Sequence, residues 1–287
     1  MVSRIRSWCV FCAVVAVLVS PRVSAQKPDM ADVLKAAGKY LTSFSEKLKA
    51  VAAEELFLQM DTGGNKVNVT ARIGSDVVMV GLPSGTFFFR DVYAVDTKPT
   101  VERTGRLLKL FETPPDGGSS IQAATKLNND GGIWFVTRNF QMLDSPLMPL
   151  ELLRDVYQEG SVFTLDSVKK ADGVDIVVVK FKETRSRSVI GTPVGIPVSG
   201  KFWIEAGSGV IRQAEMIVSD KAVNARFSLK YALDKTTGMW LPSEMDQMIQ
   251  ISAVGGGVTG IGNTGSFEGH LKYSKFRQVS IDTTQIR

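Results

Sequence analysis

Residues 224–233, NARFSLKYAL, set apolar Ala225, Phe227, Leu229, Tyr231 and Leu233 against polar Asn224, Arg226, Ser228 and Lys230. KVNVTARI (66–73) alternates in the same way, with Val67, Val69, Ala71 and Ile73 apolar. FEGHLKYSK (267–275) does so through Phe267, Leu271 and Tyr273. Period two places successive side chains on opposite faces of a strand, so repeated alternation predicts antiparallel strands with one buried and one wet face. Further strands fit ELFLQMD, DVVMVGL, TFFFRDVYAV, SVFTLDSV, VDIVVVKFKE, GKFWIEA, GVIRQAEMIVS and MWLPSEMDQMIQIS. Turn residues separate them, among them Thr62-Gly63-Gly64, Gly81-Leu82-Pro83, Ala171-Asp172-Gly173 and Gly207-Ser208-Gly209. A single sheet of about eleven strands tends to curl.

Two regions break the alternation. From residue 29 to about residue 52, apolar positions recur every three or four residues (Met30, Val33, Leu34, Ala37, Tyr40, Leu41, Phe44, Leu48, Val51, Ala52), which predicts an amphipathic helix with Asp29 as N-cap. At about 23 residues it would run about 34 Å, long enough to lie across a large sheet. Residues 99–153 form a helical insert, with TVERTGRLLKLFE and SSIQAATKLNND as helices and SPLMPLELL as a short helix or turn. No composition shift marks a boundary and no internal repeat is present. The order helix, strands, helical insert, strands predicts one α+β domain over residues 26–287.

The N-terminus predicts export. Arg4 and Arg6 precede the apolar run CVFCAVVAVLV, too short to span a bilayer, and Val23 and Ala25 are the small residues of a cleavage site after Ala25. Residues 1–25 are thus expected to be a signal peptide and the mature chain to be periplasmic or secreted, with no transmembrane segment. Cys9 and Cys12 are the only cysteines and both fall in that segment, leaving no thiol, disulfide or lipid-bearing cysteine. Three of the 34 basic residues, Arg4, Arg6 and Arg22, leave with it. Against 29 acids the mature charge is +2, which gives no argument for nucleic acid as a partner.

The hairpin GKFWIEAGSGVIRQAEM (200–216) resembles one found in the outer-membrane lipoprotein carrier (LolA/LolB-like) superfamily. Trp203-Ile204-Glu205, Gly207-Ser208-Gly209 and Arg212 occupy the places of its aromatic-apolar-acid triplet, tight turn and early basic residue, with Glu205 standing where aspartate is more usual. FFFRDVYAVDTKPTVERTGRLLKLF (87–111), TGMWLPSEM (237–245) and FEGHLKYSKFRQV (267–279) are similar to segments of an uncharacterised family of secreted bacterial proteins with this hairpin. The resemblance implies an open half-barrel of about ten to eleven antiparallel strands. In it the N-terminal helix and the insert cover an apolar concave face, and the hollow binds lipid or acyl chains.

Composition narrows the chemistry. The mature chain has one histidine, His270, and no cysteine, so a site of two or three histidines or a Cys/His pair is excluded, and no cofactor is expected. Ser167-Val168-Lys169-Lys170 has the S-x-x-K spacing but ends a strand and lacks partner motifs. GGGVTGIGNTG (255–265) lacks the Gly-Lys-Ser/Thr ending of a phosphate loop. Glu205, Glu215, Glu244 and Asp246 come from neighbouring hairpins and could pair for glycoside cleavage, yet cross-strand ion pairs on a wet face explain them as well. The expected protein is therefore a non-catalytic binder or carrier of a lipid or other amphiphile, such as a lipoprotein acyl chain. The alternatives are a module binding an envelope protein partner and a carboxylate-based hydrolase. The ligand-facing candidates are Phe87, Phe89, Trp134 and Phe140, with Arg90 to meet an acidic head group.

Overall fold

The computed structural model describes residues 28–63, 67–113, 119–135, 144–184, 197–219, 221, 223–252 and 265–280. Eleven strands form one antiparallel, curved and unclosed sheet. They are β1 (Ala50–Asp61), β2 (Asn68–Leu82), β3 (Gly85–Val95), β4 (Lys98–Pro99), β5 (Ser161–Ala171), β6 (Val174–Glu183), β7 (Val198–Glu205), β8 (Ile211–Ser219), β9 (Val223–Asp234), β10 (Met239–Ile251) and β11 (Gly265–Gln278). The order across the sheet is β4-β3-β2-β1-β11-β10-β9-β8-β7-β6-β5. Two meanders of sequential neighbours therefore meet at the β1–β11 pair, and the chain between β4 and β5 must pass from one edge of the sheet to the other. The predicted alternation is realised in β9 as far as Tyr231: Ala225, Phe227, Leu229 and Tyr231 are buried while Asn224, Arg226 and Lys230 are exposed, and Leu233, at the end of the strand, is 53% exposed. KVNVTARI and DVVMVGL join into the single strand β2, and Val67, just before it, and Val69, near its start, stand exposed beyond the core.

The first helix, α1, spans Met30–Leu48, and the Asp29 side chain caps it by accepting from the Ala31 N–H. It ends earlier than its periodicity predicts. Lys49 takes a positive φ of 39°, and Ala50–Ala53 enter β1, paired with Val77–Val80 of β2. The alanines favour helix intrinsically, but Ala50, Val51, Ala52 and Ala53 lie between covered faces, where small side chains fit a doubly buried strand. Tertiary pairing overrides the local preference.

Curvature is legible in how α1 is held. A β-carbon on Gly81, at the end of β2, would collide with the Ser45 carbonyl, and one on Gly209, in the β7–β8 turn, with the Ala36 carbonyl. Those two helix positions are nine residues apart, about 13.5 Å at 1.5 Å per residue. Between β2 and β8 lie five strand spacings, about 24 Å in a flat sheet. The sheet must curl for both ends to touch the same helix.

The insert covers both faces of the sheet. Residues 144–153, including the single turn α4 (Met148–Glu151), share the α1-side core with Val77, Met79, Phe227, Leu229 and Leu271, as the expected concave packing requires. The earlier helices α2 (Arg106–Glu112) and α3 (Ser120–Gly131) pack instead on Val78, Val80 and Phe89, which alternation places on the opposite face. A last turn, α5 (Asp155–Gln158), leads into β5.

Candidate functional site

The concave floor is apolar across nearly every strand; Glu183 at the end of β6 accepts from the Val198 N–H, and one larger polar cluster lies on β1, β3, β10 and β11. Glu55 of β1 and Arg90 of β3 form a two-pronged ion pair: Arg90 Nε donates to Glu55 Oε1 at 2.6 Å and Nη2 to Oε2 at 2.9 Å, with exposures of 0% and 4%. The guanidinium lies over the rings of Phe88 at 4.7 Å and Phe135 at 5.1 Å, and Phe135 stacks on Phe57. Burial opposes the charge on Arg90, but the Glu55 carboxylate, through charge and hydrogen bonds, more than offsets it and holds its pKa above the ordinary arginine value. Tyr273 of β11 is buried beside the pair. Burial first, and the Glu55 charge second, push its phenol well above the usual range.

This cluster grips the segment that lies over the floor. Arg90 Nη2 also donates to the Asp144 carbonyl at 2.9 Å, and Gln247 Nε2 of β10 donates to Asp144 Oδ1 at 3.1 Å. Tyr231 of β9 donates to the Pro146 carbonyl at 2.9 Å. Farther along, Glu151 accepts from the Thr86 N–H and hydroxyl, and Arg154 donates to the Pro83 carbonyl. Residues 144–153 thus form a strap whose leucines (Leu147, Leu150, Leu152, Leu153) are buried and whose main chain is tied to the sheet by side-chain donors. A buried ion pair is poorly explained by stability alone, because apolar residues of the same volume would serve as well or better. Its evident work is to position the strap. Each Glu55 oxygen accepts one hydrogen bond from Arg90.

Of the residues expected to face a ligand, Arg90 is on the concave side. Phe87 and Phe89 are on the other face, where Phe89 meets Phe111 of α2 and stacks with Phe87. Trp134, 41% exposed, sits at the end of the turn after α3. Phe140 lies outside the described residues, as do residues 1–25, expected to be a signal peptide, and most of the glycine stretch 255–265. The aromatics that touch Arg90 are instead Phe88 and Phe135, each next in sequence to a candidate. Strand alternation already puts Phe88 on the Arg90 face. Alternation also puts Tyr273 on the apolar face of FEGHLKYSK and Glu55 at the head of the predicted strand ELFLQMD, but nothing local pairs either with Arg90, and Asp144 and Gln247 carry no comparable signal.

The acids proposed as a pair are engaged separately. Glu244 pairs with Lys230 at 2.8 Å, Asp246 with His270 at 2.6 Å, and Glu205 with Arg212 at 2.8 Å. In the hairpin 200–216, Phe202 and Ile204 are fully buried, but Glu205, read above as part of a wet face, is not wet. Its side chain is 12% exposed and also accepts from the Ser208 hydroxyl, while Arg212 stacks on Trp240 at 3.9 Å. The turn that Glu205 starts is the one pressed on α1, which draws the acid inward. Among the described residues no group of three or more His, Cys, Asp or Glu is arranged to hold a metal, and no helix is long and apolar enough to cross a membrane.

No family profile and no curated protein matches the chain. Solved structures with a similar course include a domain described as an outer membrane lipoprotein-sorting protein from Vibrio parahaemolyticus, at 10% identity over 88% of this chain and 97% of that one, TM-score 0.41. A DUF1329 family protein from Desulfovibrio piger aligns at 11% identity over 89% and 98%, TM-score 0.36. The lipoprotein LppX of Mycobacterium tuberculosis aligns at 10% over 88% and 100%, TM-score 0.29. Likenesses this distant carry no inference about what this chain binds.

Proposed function

We propose that the protein is a non-catalytic carrier of the cell envelope that takes the apolar chain of a lipid or other amphiphile onto its concave face, beneath residues 144–153. One observation carries this reading: the cover over an almost wholly apolar floor is tied down by side-chain donors on the sheet, converging on its main chain. Such a cover can lift without breaking the sheet ladder. The leucines it withdraws would be replaced by alkyl chain, at about 25 cal/mol per Å² of apolar surface kept from water. Arg90, released from the Asp144 carbonyl but still paired with Glu55, then offers an N–H to a polar head. Trp134, exposed near the same end of the insert, is a candidate rim contact. Export through the residue 1–25 signal would place the protein where such ligands are.

Native mass spectrometry of protein purified from the envelope, before and after organic extraction, tests the reading. A lipid-sized adduct lost on extraction is expected. Tyr231→Phe and Gln247→Leu, which free the strap from the sheet, should speed exchange of that adduct at unchanged circular dichroism. An adduct-free mass before extraction, with the two variants changing only thermal stability, would reduce the strap to ordinary core. The alternative of an envelope protein partner is favoured by β5, an edge strand on which Val162 and Val168 are 57% and 45% exposed. Co-purification lost in Val162→Lys would support it.

A further inference from the structure

The outward face of the sheet carries an apolar hollow, which the carrier reading does not use. α2 and α3 cover only one end of β1–β3 on that face. Beyond them, a half-open groove of about 480 Å³ is lined by Leu56 and Leu58 of β1, Gly74 of β2 and Tyr93 of β3. Volumes of about 300–1,000 Å³ are usual for small-ligand pockets. Two features make the groove. Leu56 stands on a central strand yet is 58% exposed, and Gly74 supplies no side chain where a β-carbon would meet the Tyr93 ring at 2.9 Å. The hollow continues past Tyr93 toward Pro99 and Val101.

Charge at the rim is one-sided. The lining includes Arg72 and Lys272 and no carboxylate. Among the described residues neither of these two side chains is in an ion pair. Two acids near the rim lie outside the lining and are hydrogen-bonded, Asp246 to His270, itself on the rim, and Asp96 to the Arg72 N–H. An occupant therefore needs an apolar body and an anionic end.

The backbone discriminates between an alkyl chain and a peptide. β1, β2 and β11 are interior strands, hydrogen-bonded on both sides. The outer edge of β3 at the groove is capped by Thr100, whose N–H and hydroxyl donate to the Tyr93 and Val92 carbonyls. An extended peptide laid there would find no ladder and would leave its own N–H and C=O groups unpaired against apolar walls. An alkyl chain has no such groups. We infer that the outer groove is a binding site for a single-chain anionic amphiphile, its chain along Leu56, Leu58, Gly74 and Tyr93 and its head between Arg72 and Lys272.

The experiment is a titration of methyl-labelled full-length mature protein with dodecanoate below its micelle threshold, followed by nuclear magnetic resonance. Saturable shifts are expected at the Leu56 and Leu58 methyls. Binding should weaken at least about tenfold in Leu56→Glu, which removes chain contact. It should weaken about tenfold in Arg72→Glu/Lys272→Glu, given the modest worth of each exposed charge. Dodecyltrimethylammonium should bind correspondingly less well than dodecanoate. These positions are exposed, so the variants keep the fold. Tyr231→Phe, on the inner face, should leave the outer methyl response unchanged, which separates this site from the proposed carrier face. Shifts confined to inner-face methyls, equal binding of both head charges, the absence of saturable shifts, or tighter competition by an acidic peptide would each overturn the assignment.

Discussion

At the scale of single residues, the informative group is the Glu55–Arg90 pair. Both partners are out of water, so removing either leaves an uncompensated charge, whereas replacing both with apolar residues does not. Glu55→Leu and Arg90→Met are each expected to cost about 3–5 kcal/mol, while the double variant should lie within about 1 kcal/mol of the parent. Urea denaturation of the four proteins checks this. Additive losses would mean that the pair does not act as a unit. Glu55 opens the predicted strand ELFLQMD, but its burial in the inward row Val51, Ala53, Glu55, Phe57 and Gln59 has no local signal, and Ala50–Ala53 prefer helix and carry the α1 periodicity forward, hiding the first residues of that strand. Arg90 was legible because Phe88, Arg90 and Val92 alternate cleanly with Phe87, Phe89 and Asp91.

At the scale of elements, α1 is clamped by two backbone approaches that only glycine permits. Gly209 has φ +72° and no room for a β-carbon against Ala36, whereas Gly238 has φ +67° and nothing within 4 Å of where one would stand. Gly238→Ala should therefore cost only the left-handed backbone term, about 1–2 kcal/mol. Gly209→Ala should cost that plus overpacking of about 1–3 kcal/mol, and it should raise amide hydrogen exchange along α1. Equal losses in the two variants would show that the turn does not buttress the helix. The hairpin 200–216 is thus scaffold with a specific load: it seats the helix that closes the concave side.

At the scale of the whole molecule, pH should act from both ends. Tyr40 of α1, Tyr231 of β9 and Tyr273 of β11 all have pKa values raised chiefly by burial, with the Glu205 charge adding at Tyr40. The unfolded chain loses these protons near about pH 10 while the folded chain keeps them. Stability is fully present below that pH and falls as pH rises above it, by up to about 1.4 kcal/mol per pH unit per tyrosine. Tyr273→Phe should flatten the fall, as read from urea midpoints between pH 9 and 11, about the tyrosine range. In acid the outer face responds. Burial pulls the Glu54 pKa up, but hydrogen bonds from Lys275 and Arg103 hold it below the ordinary value. Its contribution is present above the unfolded pKa and lost as pH falls through the lower folded one, so Arg103→Gln should lessen the acid sensitivity.

Local pattern was enough for the strands other than β4 and the first residues of β1, because period two is imposed residue by residue when one face is buried. The same holds for α1 and its Asp29 cap, for the Phe202 and Ile204 anchors, and for the α+β class. What depended on tertiary structure was everything set by contacts between distant segments. The β1–β11 pairing joins residues 50–61 to residues 265–278, and no local signal encodes which two strands meet. The division of the insert between the two faces depends on the path from β4 to β5 around a curled sheet. The partners of Arg90 come from β1, the turn after α3 and the strap, so the cluster exists only once the sheet has curved and the strap has crossed it. Periodicity records which way a side chain points, and only the assembled fold determines what it meets.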